Sequence, residues 1–187
     1  MPTPIGHMLA AAILCKSQRS RDDFLFYLFI LFFALLPDSD FLFGFFTGDP
    51  NRYHHLFTHS FAFVVIAGLL GGVIYAKWRD ENIIFSSAIF ISAGISHVIL
   101  DCLAVDRREP FGCPIGWPFS QKFVISPVLL FSDVTRSSDS SLFFPSLFNM
   151  HNLQAVSIEL FVLMPVLFTV WMLRKSTGYR KTAISKM

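Results

Sequence analysis

Charge is the scarcest commodity in this sequence. Only 15% of its 187 residues are Asp, Glu, Lys or Arg, where a soluble domain usually carries about a quarter. Paired cysteines are missing too: Cys15, Cys102 and Cys113 show no CxxC spacing, which argues against a disulfide framework or a thiolate zinc site. Cys15 and Cys102 read as packing residues, and Cys113 falls in a Pro/Gly-rich loop. No GxSxG nucleophile turn and no phosphate-binding glycine loop occur, which disfavours serine-hydrolase and nucleotide chemistry. The net charge of +2 is too small to imply a nucleic-acid partner. The first apolar run is followed, not preceded, by its positive charges, the wrong order for a cleaved signal peptide.

What is present in quantity is apolar: 53% hydrophobic residues, 23 of the 187 being Phe, and a mean hydropathy of +0.56. This places the chain among integral membrane proteins, as one membrane domain over 1–187. Apolar stretches at 5–15, 24–36, 60–76, 82–100 and 152–173 predict an all-α bundle of about five helices, near 5–18, 22–37, 59–78, 82–103 and 152–173. The last three approach the roughly 20 residues that cross a bilayer. The first two are short, and read as a hairpin they return His7 to the level of Asp38 and Asp40, with Ser20 or Asp22 available to cap the second helix. An alternative lays the first stretch on the cytoplasmic surface and strands His7 on the other side.

A long irregular outer loop is expected at 104–151, with two apolar, proline-interrupted runs covering the site or lying in the interface, and a cytoplasmic tail at 174–187. With five helices, ten positive residues gather on one side (Lys16, Arg19, Arg21, Lys77, Arg79, Arg174, Lys175, Arg180, Lys181, Lys186) and five on the other (Arg52, Arg107, Arg108, Lys122, Arg136). The richer side should be cytoplasmic, with Trp78 and Trp171 at its interface.

The polar residues at membrane level concentrate at the outer side: Asp38 and Asp40; His54, His55 and His59; His97 and Asp101. Such residues are costly there and tend to be functional. His97 and Asp101 are four apart and share a helix face; His55 and His59 have the same spacing, at the entry to the third helix. Taken singly, each motif has a bland reading: a solvated turn, a packed polar pair, headgroup histidines. Together, in a chain so poor in charge, they point to a metal site. Imidazole with carboxylate suits zinc first, with manganese or iron as alternatives, as one or two ions. His151 and Glu159 are open between extra ligand and structural pairing.

At these residues the sequence resembles the bacterial membrane-bound metal-dependent hydrolases of the LexA-binding inner-membrane type. The resemblance rests on Gly6-His7, Leu36-Pro37-Asp38-Ser39-Asp40, His54 with Thr58-His59-Ser60, Ser96-His97 with Asp101, and Cys113-Pro114-Ile115-Gly116-Trp117-Pro118-Phe119-Ser120. It covers about residues 5–120, and order and spacing carry it more than any single motif. His54-His55-Leu56 stands where the family usually has His-Arg-Gly, and Asp106, Arg107, Arg108 and Glu109 belong to a segment particular to this branch. The resemblance implies a bacterial inner-membrane protein and hydrolytic chemistry.

The expected function is therefore hydrolysis of a phosphoester, plausibly on a membrane lipid, by water activated at the His/Asp cluster. Seven ligands are expected: His7, Asp38, Asp40, His54, His59, His97 and Asp101. Asp38 or Asp40 would bridge two ions, Asp40 and His55 would take catalytic roles, and Arg52, Arg107, Arg108 and Trp117 would contact substrate. Two readings compete: a membrane protein that binds or transports a divalent metal, and a structural protein with interfacial histidines. A transport path needs polar residues through the helix interiors, and the sequence offers only Glu159 and scattered serines.

Overall fold

A computed structural model describes residues 1–17 and 24–184, with side chains to residue 175. The charges Arg19, Arg21 and Lys186, the capping candidates Ser20 and Asp22, and the side chains of Arg180 and Lys181 lie outside the described residues.

The described residues are all-helical: α1 (Pro4–Ser17), α2 (Phe24–Leu35), α3 (Asp40–Phe46), α4 (Phe61–Arg79), α5 (Ile83–Cys102), α6 (Phe143–Ser146) and α7 (Met150–Ile184). No strand forms among them, and the long loop carries two isolated bridges, Ala104 with Phe131 and Cys113 with Val124. Four helical runs are long and apolar enough to cross a membrane: Phe24–Phe46, Phe61–Arg79, Ile83–Cys102 and Met150–Lys175.

The expected second helix does not stop at 37. Pro37 lacks an N–H, so the α-ladder breaks there and tightens into a 3-10 turn, Leu36–Ser39, before α3 resumes the helical course. Asp38 therefore lies in that turn and Asp40 opens α3, both inside the helical run rather than in a loop beyond it. The last helix likewise continues past 173 to Ile184.

At 14 residues α1 is the short arm of a hairpin with α2, and it is neither a full span nor a surface helix. It packs among α2, α5 and α7. Its first turn is capped from another helix: Glu159 of α7, fully buried, accepts from the Thr3 amide and the Thr3 hydroxyl, both at 2.5 Å. Gly6 makes room for that carboxylate, since a Cβ there would lie 2.9 Å from Glu159 Cδ. Glu159 thus takes the structural of its two readings.

α4 and α5 form an antiparallel pair. Asp80, in the left-handed conformation with φ 55°, ends α4, and the Asn82 side chain accepts from the Phe85 amide to start α5. Gly94 lets α5 approach α4, where a Cβ would meet Val64 at 2.8 Å. At one end of the bundle Phe26, Phe29, Phe33, Tyr75 and Phe90 pack ring against ring; Phe33 and Phe90 stack at 4.7 Å between centroids. The other end holds histidine and aspartate, roofed by the loop between α5 and α7.

Candidate metal centre

Four elements deliver the cluster. α1 supplies His7, the 3-10 turn Asp38, the α3–α4 connection His54, His55 and His59, and α5 His97 and Asp101. His7, His59, His97 and Asp101 are at most 1% exposed; His59 and the pair His97 and Asp101 lie at the ends of spanning helices, and His7 lies in the short α1.

Each ring except His7 is aimed by its Nδ1. His97 Nδ1 lies 2.7 Å from the Ala34 carbonyl, which belongs to the end of α2 where the helix tightens before Pro37. His59 Nδ1 faces Asp40 Oδ2 at 3.2 Å, and His54 Nδ1 faces Asp40 Oδ1 at 3.0 Å. Thr58 donates to Asp40 Oδ2 at 2.9 Å, so both Asp40 oxygens are engaged. His55 Nδ1 meets Asp106 Oδ2 at 3.2 Å. With Nδ1–H donated to oxygen, Nε2 carries the lone pair, the usual arrangement of a ligating histidine.

The Nε2 atoms of His59 and His97 are 3.3 Å apart, and Asp101 Oδ2 lies 3.4 and 3.0 Å from them. Zinc bonds of 2.0–2.1 Å in tetrahedral geometry place neighbouring ligand atoms about 3.3 Å apart, so this triangle has the dimensions of one face of a zinc site. Asp38 Oδ1 faces the same two nitrogens at 3.7 and 3.6 Å. The other Asp101 oxygen, Oδ1, is 3.6 Å from His7 Nε2, and the His7 ring stacks on His97 at 3.7 Å. Six buried polar atoms here, His7 Nδ1 and Nε2, Asp38 Oδ1, His55 Nε2 and both Asp101 oxygens, have no hydrogen-bond partner. Orphaned buried polar atoms are expensive, and this donor set fits a divalent cation that would satisfy them.

The chain matches the model of a protein family described as YdjM inner membrane protein over residues 1–177. It belongs to that family. The match takes in the ordered motifs at 5–120 and continues through α7, so this member of the YdjM family is a multi-pass inner-membrane protein with buried His/Asp groups that could hold a metal ion. No curated protein and no solved structure matches it.

In this YdjM-family chain the expected ligands do not stand alike. His7, Asp38, His59, His97 and Asp101 converge. His54 groups with Asp38 and Asp40 and with His55 and His59; its Nε2 lies against Met1 Sδ, and Asp40 faces the Nδ1 atoms of His54 and His59. His55 reaches inward because its backbone takes φ 61°, left-handed, a conformation histidine adopts more readily than most residues; its Nε2 is 4.0 Å from Asp101 Oδ2. His151 pairs with Asp133 at 3.1 Å, away from the cluster. Of the expected substrate contacts, Arg107 and Arg108 line the cleft beside His54 and His55. Arg52 lies over Tyr53, Trp117 packs on Phe57, and neither lines that cleft.

Asp106 and Arg136 have larger places than the sequence suggested. Asp106 also accepts from the Gly112 and Arg108 amides. Burial raises its pKa, but these donors and His55 outweigh it and hold the carboxyl below its ordinary range. Arg136 is 9% exposed, donates from Nε to Asn51, and lies over Phe41; burial brings it down to about 10, so it is charged at neutral pH. Burial dominates at His55 and lowers its pKa despite Asp106. At His59 burial lowers the pKa, but hydrogen bonds to Asp38 and Asp40 and the Asp101 charge raise it overall to about 9. Asp106, in a charged loop beside Arg107, Arg108 and Glu109, and Arg136, in a serine-rich stretch, offered no helical spacing by which to find them.

Proposed function

We propose that this protein is a metal-dependent phosphoesterase, with the centre at the extracytoplasmic face of the inner membrane. The observation that carries the reading is the triangle of His59 Nε2, His97 Nε2 and Asp101 Oδ2, surrounded by buried atoms without partners. Zinc suits these ligands best, with manganese or iron as alternatives. His59, His97 and Asp101 would hold one ion, and His7 with Asp38 supplies ligands for a second. Asp101, with an oxygen toward each group, would join Asp38 and Asp40 as a candidate to hold both ions. Asp40 and His54 also serve as supports. A bound divalent ion would polarise a phosphoryl oxygen and let water ionise near neutral pH.

The chain's own contribution lies above that centre. His55, buried with Nε2 unpartnered and Nδ1 on Asp106, can take a proton from attacking water and return it to the departing oxygen. Asp106 fixes its tautomer and steadies the imidazolium. Arg107, Arg108 and Arg136 favour an anionic substrate. A centre at the ends of spanning helices favours a phosphoester borne by a membrane lipid. Lys16, Lys77, Arg79, Arg174 and Lys175 sit at the opposite helix ends, which supports the outward placement.

The test is metal content of the purified protein together with hydrolysis of phospholipids, isoprenoid phosphates and a soluble nitrophenyl phosphoester. His59→Ala should lose both bound metal and activity. Full activity in that variant sinks the proposal. Fluorescence from a C-terminal green fluorescent fusion checks sidedness, since it requires a cytoplasmic C-terminus.

A further inference from the structure

Two cavities share Val134 as a wall. The first is the cleft over His55, about 50 Å³ in volume, lined by Asn51, His54, Arg107, Arg108 and Arg136 among others. The second is an apolar groove of about 610 Å³ between the start of α1 and the first turns of α7, lined by Ile5, Leu147, Phe148, Leu153 and Val156. Val134 lines both. The groove is of the size of small-molecule sites, which run about 300–1,000 Å³ and are walled mainly by apolar side chains.

The charges of the cleft are incompletely paired. Arg107 pairs with Asp133 at 3.3 Å and His55 with Asp106. Among the described residues Arg136 and Arg108 have no carboxylate partner: Arg136 bonds Asn51, and Arg108 bonds Ser138 and the Arg136 carbonyl. A guanidinium as buried as that of Arg136 gains most from an anion with several acceptor oxygens, and a phosphate group has that form. The cleft is too small for a bulky headgroup, whereas the adjoining groove is more than ten times its volume.

Resting on the phosphoesterase reading, we infer that the substrate is a single-chain lipid phosphate monoester. Its phosphate lies against Arg136 and the histidines, and its chain runs past Val134 into the groove along α7. Hydrolysis adds water to phosphorus and breaks the phosphorus–oxygen bond to the chain. The leaving oxygen takes a proton, giving a lipid alcohol and inorganic phosphate. The groove selects by chain and the cleft by charge and headgroup size, so diacyl phosphodiesters with large headgroups are poor substrates.

Phosphonates, which do not hydrolyse, separate binding from chemistry. Native mass spectrometry of the full chain in a neutral maltoside detergent would compare dodecylphosphonate with butylphosphonate. One dodecylphosphonate should bind at least about tenfold more tightly, the discrimination that one methylene can command in an apolar pocket. In Leu153→Trp the two phosphonates should bind alike; Leu153 is 57% exposed, so the change burdens no core packing. Arg136→Gln should weaken both by about tenfold or more. Equal affinities in the wild type overturn the inference, leaving the groove to ordinary bilayer lipid. So does a chain-length preference that survives both Leu153→Trp and Val156→Trp. Chain-dependent binding without any hydrolysis would strike the phosphoesterase reading alone.

Discussion

The two ends of this bundle are built from the same helices and solve opposite problems. At one end α2, α4 and α5 bury Phe26, Phe33, Tyr75 and Phe90 against each other, and dispersion and ring packing suffice. Two turns further along α5 the same face carries His97 and Asp101, and the surrounding groups include six buried atoms with no hydrogen-bond partner. Burial costs the aromatic end nothing electrostatically. At the histidine end it leaves a set of buried groups that could hold a cation. The aromatic end holds the helices in register, and the other end uses that register to bring four separated segments to one point.

Changes at the two ends should therefore fail differently. Asp101→Ala removes the carboxylate that faces both His59/His97 and His7, and is expected to abolish stoichiometric metal binding. Activity should fall well beyond a hundredfold, because loss of outer partners alone commonly costs 10–100-fold; metal analysis with steady-state kinetics checks both. Phe90→Ala should do the reverse. It should cost about 3–5 kcal/mol of stability, as large core truncations do, while protein folded at low temperature keeps its full metal content. Loss of metal from folded Phe90→Ala would break the division between the ends.

Smaller effects sharpen it. Asp106→Asn should retain metal and lower kcat by about 10–100-fold, because His55 loses the acceptor that orients it. Gly6→Ala brings a Cβ within 2.9 Å of the Glu159 carboxylate and should cost about 1–3 kcal/mol in thermal unfolding, the usual range for overpacking. Last is pH. The metal-free protein holds a proton on His59 with a raised pKa of about 9, and an ion must displace it. Apparent metal affinity should therefore rise with pH through the neutral range, by at least about tenfold per unit up to about 9. Titration with zinc under buffered free-metal conditions measures this, and a flat profile would remove His59 from the ligands.

The residues legible in the sequence were those whose geometry is local. His97 and Asp101 sit one helical turn apart, so their shared face follows from spacing alone, and the hairpin of α1 and α2 brings His7 to the level of Asp38 as expected. Asp38 and Asp40 were visible as a pair, but their different duties depend on which ring atoms approach them. His55 with Asp106 is a contact across 51 residues, and Arg136 with Asn51 spans 85. Such pairings are set by how the long loop folds over the helix ends, and no periodicity encodes that.

The cap on α1 also bears on the order of assembly. Thr3 and Glu159 are 156 residues apart, yet the carboxylate of one fixes the helix start that carries His7. During synthesis and insertion, the first ligand to emerge is thus the last to be secured. The cap on the helix that carries His7 can form only once α7 lies beside α1. A chain arrested before Glu159 would hold most of the candidate ligands but would lack this cap on the helix of His7.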